Sequence, residues 1–73
     1  MTTEKAERLK RMQAELHALY GATAKLRAFI EVDEEFAKLQ AKEQQDMREQ
    51  FVLMDLYARV LQRRLLRGME LSP

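Results

Sequence analysis

Eight of the 13 basic residues in this 73-residue chain fall in two stretches, 5–11 and 59–67. They are Lys5, Arg8, Lys10, Arg11, Arg59, Arg63, Arg64 and Arg67. If the two stretches lie side by side, they form a focused cationic surface that attracts an anion despite a net charge of only +1. Arginine suits a phosphate or carboxylate because its planar fork donates two hydrogen bonds at once. Tyr57 and Tyr20 are the candidate aromatic faces on which a base would stack. The candidate ligand set is therefore Arg8, Arg11, Tyr20, Tyr57, Arg63, Arg64 and Arg67. A structural role competes with it. Arginines near a helix C-terminus interact favourably with the helix dipole, Glu4, Glu7 and Glu70 offset part of the charge, and Tyr57 lies beside an apolar stripe.

Catalytic chemistry finds little support. His17 is the sole histidine, there is no cysteine, and the one serine is the near-terminal Ser72. A carboxylate-bridged metal site in a helical bundle would want Glu-x-x-His, but Ala14 stands three residues before His17. Neither a phosphate-cradling glycine loop nor zinc-ligand spacing is present. No enzyme, cofactor or metal is expected. The longest uncharged stretch, Leu16 to Ala24, is about nine residues, far short of the roughly 20 that a membrane span needs. Residues 2–11 are dense in charge and no apolar run follows, so no secretory signal and a soluble, cytoplasmic chain are expected.

The elements that must position these side chains are two long helices. Leu9, Met12, Leu16, Leu19, Thr23, Leu26 and Ile30 step by three and four, an apolar heptad stripe broken only by Thr23. Met47, Phe51, Met54, Ala58, Leu61 and Leu65 make the matching stripe. Leu53, Leu56, Tyr57 and Val60 form a second row beside it, too wide for one partner helix to cover. Between the helices, EVDEE breaks the pattern, with Asp33 as an N-cap and Phe36 and Leu39 as plugs for the closed end. Gln40 and Ala41 cap poorly, so the start of the second long helix is weakly marked. Gly68 reads as its stop. Gly21, inside the first helix, should cost about 1 kcal/mol relative to Ala.

The prediction is an all-α, antiparallel two-long-helix hairpin with a short helical connector. The whole chain, residues 1–73, is one domain: helix about 3–30, connector 31–41, helix about 42–67, frayed tail 69–73. Antiparallel pairing joins the two basic stretches at the open end and leaves Glu31, Asp33, Glu34, Glu35, Glu43 and Asp46 toward the other. A domain this small, with a surplus apolar row, is expected to assemble into an oligomeric bundle, at least a dimer, through Leu53, Leu56 and Val60.

Lys25 to Ile30 and Glu35 to Leu65 resemble a group of small helical proteins of crAss-like and other tailed phages. The shared pattern falls on Leu26, Phe29, Ile30, Phe36, Leu39, Glu43, Gln44, Gln50, Met54, Tyr57, Leu61 and Arg64. The chain departs from it at Gln40, where the group has a good capping residue, and at Gly21 and the Leu66–Gly68 ending. In shape the chain is also similar to phage hairpin proteins that act as sponges for cyclic-nucleotide immune signals. That resemblance implies an oligomer binding a cyclic di- or trinucleotide with basic and aromatic side chains at subunit boundaries. Two alternatives stand beside it: an inhibitor or adaptor offering its apolar face to a host defence protein, and a nucleic-acid accessory protein using the basic end.

Overall fold

A computed structural model describes residues 3–70 and contains three helices: α1 (Thr3–Val32), α2 (Glu34–Ala37) and α3 (Ala41–Glu70). The two 30-residue helices pack along one another, giving a rod 52 × 15 × 14 Å. Their contact is the pair of stripes read from the sequence. Leu16, Ala58, Leu61 and Leu65 are buried, with Leu9, Met12 and Leu19 packed against them. Thr23 fits the stripe because its hydroxyl donates to the Leu19 carbonyl at 2.7 Å, leaving no unpaired donor at the seam.

The closed end is built by the connector. The Asp33 carboxylate accepts the Glu35 N–H at 2.9 Å, as expected of an N-cap. Phe36 is buried and meets the Phe29 ring edge-on at 6.0 Å, with the Arg48 guanidinium 5.1 Å above its face. Leu39 is half-buried beside it.

Helix boundaries differ from expectation at both ends of the connector and at the tail. α1 runs two residues further, to Val32, where the Arg27–Glu31 pair spans its last turn. α3 starts cleanly at Ala41 without a conventional cap. Instead the Gln44 amide reaches back and donates to the carbonyls of Phe36 (3.0 Å) and Leu39 (3.1 Å). The Phe36 carbonyl, which also accepts the Leu39 N–H at 3.1 Å, ends α2, and the Leu39 carbonyl lies just beyond it. One side chain thus closes α2 and joins it to α3.

Gly68 does not stop α3, which continues to Glu70 through Met69; no described glycine has a positive φ. Its role is steric. A Cβ at position 68 would come within 2.7 Å of Leu9 Cδ2, so the missing side chain lets α1 approach α3 at the open end. Thr2, an N-cap candidate by residue type, and the tail residues Leu71, Ser72 and Pro73 lie outside the described residues.

Gly21 has open space where its Cβ would be and ordinary helical φ. Gly21→Ala is therefore expected to stabilise the hairpin by roughly 0.5–1 kcal/mol, through lower unfolded-chain entropy. That corresponds to a melting temperature several degrees higher, about 4–8 °C per kcal/mol for a domain of this size. Thermal unfolding followed by circular dichroism measures it. An unchanged or lower midpoint would show that position 21 serves something outside the single hairpin.

Candidate functional site: a cationic groove at the open end

Where the first turns of α1 meet the last turns of α3, a groove opens between the helices. Lys5, Arg8, Leu9 and Met12 line it from α1, and Arg64, Arg67 and Gly68 from α3. Lys5 and Arg8 share a face because they are three residues apart, as are Arg64 and Arg67. The bare backbone at Gly68 brings the two pairs close. Arg8, Arg64 and Arg67 are exposed and form no salt bridge among the described residues. Four cationic side chains thus converge from both helices over an apolar floor of Leu9 and Met12.

The other sequence candidates are sorted by the packing. Arg11 and Arg63 do not line the groove. Arg59 is engaged with Asp55 at 3.1 Å, one turn away on its own helix. Tyr57 lies near Arg64, and its hydroxyl donates to the Glu15 carboxylate across the helix pair. That hydrogen bond, then desolvation and the Glu15 charge, hold the phenol above its ordinary pKa of 10.0, with Arg64 opposing. Tyr57 also borders a separate apolar depression with Asp46, Glu49, Gln50, Leu53 and Met54. Tyr20 lines a different depression with Arg27, Phe51 and Asp55, and its hydroxyl donates to Gln62 Oε1 at 3.2 Å. The two tyrosines do not share a site within one hairpin.

Lys5 is the groove residue that the candidate ligand set left out. Its signal was the three-residue spacing to Arg8. Leu53, Leu56 and Val60 are 59%, 52% and 41% exposed, so the second row of α3 is uncovered in the single chain. Among the described residues no group of three or more His, Cys, Asp or Glu is placed to hold a metal ion, and no helix is long and apolar enough to cross a membrane.

Fold and groove together define an all-α helical hairpin with a cationic mouth. The chain belongs to the Sequestin family, whose match spans residues 6–67 and so takes in most of both long helices, the connector, and the groove residues Arg8, Leu9, Met12, Arg64 and Arg67. No curated protein and no solved structure matches the chain.

Proposed function

We infer that this chain is a phage-encoded, non-enzymatic binding protein that sequesters a small anionic nucleotide signal, a cyclic di- or trinucleotide, in the host cytoplasm. It does so as a self-associated hairpin. The observation that carries this function is the convergence of Lys5, Arg8, Arg64 and Arg67 on one groove. The family name, which denotes sequestration, agrees with it. Phosphates sit among the cations, and of the two tyrosines Tyr57 is the one beside Arg64. Arg11 and Arg63 add to the field around the groove. Tyr20 contributes only if a second copy brings its flank to the first one's mouth.

Each hydrogen bond to a charged group contributes about 1.5–3 kcal/mol, so a few well-placed ones support tight binding after association costs. A ligand at a hundredfold excess over its Kd stabilises the fold by about 2.7 kcal/mol. For a domain of this size the melting temperature then rises by about 10 °C or more. The test is a thermal-shift and native-mass screen against cyclic di- and trinucleotides. Arg8→Ala is expected to weaken binding by at least about tenfold while leaving assembly unchanged. A screen without any shift, or full binding by Arg8→Ala, overturns the groove as the site.

The exposed row Leu53, Leu56 and Val60 favours a second function, that of an adaptor seated on a host defence protein. Native mass discriminates: an adaptor stays monomeric until its partner is added. A nucleic-acid accessory protein would instead show binding that falls steeply with salt.

A further inference from the structure

One face of α3 carries Asp46, Glu49, Leu53, Leu56, Val60, Arg64 and Arg67, following one another by three or four residues. All of them are exposed, as is Tyr57 beside Leu56. The four charged members form no salt bridge among the described residues. From its N-terminal end the row reads acidic, acidic, apolar, apolar; from its C-terminal end it reads basic, basic, apolar, apolar. Its midpoint lies between Leu56 and Tyr57.

A row of this kind is complementary to itself when turned end for end. We propose that two copies of the chain pair α3 against α3 antiparallel, about a twofold axis passing between Leu56 and Tyr57. Leu53 then faces the partner's Val60, and Leu56 faces the partner's Tyr57. Glu49 faces the partner's Arg64, and Asp46 faces the partner's Arg67. Each contact occurs twice, as a closed twofold interface requires. Parallel pairing would set Arg64 against the partner's Arg64 and Glu49 against the partner's Glu49. Charge therefore chooses the direction, and the apolar centre supplies the burial. The depression bordered by Asp46, Glu49, Leu53 and Tyr57 is the concavity into which the partner's Val60 and Arg64 fit.

The pairing rests on the self-association proposed above and adds to the groove. Two of its four cations, Arg64 and Arg67, acquire carboxylates from the partner, while Lys5 and Arg8 do not. A guanidinium has five N–H donors, and a carboxylate occupies two of them. The partner's Asp46 and Glu49 thus hold the arginine forks in place and leave donors for an anion. The dimer has two such mouths, one at each end.

Glu49 and Arg64 lie about 22 Å apart along the same helix, so they meet only between chains. Glu49→Arg and Arg64→Glu are each expected to weaken dimerisation by about tenfold or more, because each places like charges opposite one another twice. Mixed in equal amounts, the two variants restore both contacts. The mixture is expected to return to within about threefold of wild-type affinity by analytical ultracentrifugation. A second measurement is independent of charge. The chain has no cysteine, so Leu56→Cys, next to the axis, oxidises readily to a covalent dimer. Arg67→Cys, about 31 Å from its symmetry mate along the paired helices, does not. Single variants that dimerise like wild type, a mixture that gains nothing, or preferential cross-linking of Arg67→Cys each overturn the pairing. Failure here with the nucleotide shift intact removes this interface and leaves sequestration standing. Failure of the nucleotide screen with complementation intact does the reverse.

Discussion

Leu61→Ala is expected to leave the hairpin only marginally folded at room temperature. Leu61 is 1% exposed, the most enclosed side chain of the seam, between Ala58 and Leu65 on α3 and against the α1 stripe around Leu16. Removing a buried leucine to Ala costs about 2–5 kcal/mol, through lost transfer energy and the cavity left behind. A domain of this length has a total stability of roughly 4–11 kcal/mol at the usual per-residue value. The deletion therefore removes a large part of it, and the melting temperature drops by at least about 10 °C. The seam has little means of collapsing to fill the gap, because two helices form a single layer of contact. Leu66→Ala, on an exposed position of the same helix, serves as the control and should change stability by less than about 0.5 kcal/mol. Comparable losses for both variants would mean that the seam is not the principal source of stability.

Leu56→Glu and Val60→Glu are expected to shift the self-associated protein toward dissociated, less stable monomer. These residues are 52% and 41% exposed in the single hairpin, so about half of each side chain remains to be buried. Complete burial of such a side chain contributes about 1.5–3 kcal/mol, so the recoverable part is on the order of 1 kcal/mol per residue. In a twofold interface every residue counts twice. A carboxylate introduced there forfeits that gain and adds the cost of desolvating a charge. A loss of about a hundredfold in association affinity is the expected size for Leu56→Glu. Sedimentation at micromolar concentration reads it directly. A wild-type chain that sediments as a stable monomer would remove self-association and advance the host-protein adaptor.

The seam was legible in the sequence because helical periodicity is a local property. Leu9 to Ile30 and Met47 to Leu65 repeat at helical spacing wherever the chain goes, and Asp33 followed by Glu34 and Glu35 marks a helix start by residue chemistry alone. The uncovered row Leu53, Leu56 and Val60 follows from the same counting, since the apolar positions of α3 span more than one stripe. Antiparallel pairing follows from a connector too short for anything else. The pooling of the basic stretches at one end is a consequence of that pairing.

Tertiary structure decided the matters that depend on how two helices are rotated and staggered. Gly68 looked like a helix stop because glycine is common at helix ends. Its use as the place where Leu9 touches α3 depends on the register of α1 against α3. Gln44 gave no capping signal by position, because its partners, the carbonyls of Phe36 and Leu39, come within reach only once α2 has folded back. Eight basic residues fell at the open end by count, yet only Lys5, Arg8, Arg64 and Arg67 line its groove. Tyr20 and Tyr57, alike in sequence as candidate aromatic faces, went to different depressions with different hydrogen-bond partners. Local spacing assigns a side chain to a face of its own helix. Which faces then meet is set by the Leu9–Gly68 approach at one end, between residues far apart in the chain, and by the Phe36 plug against Phe29 and Arg48 at the other.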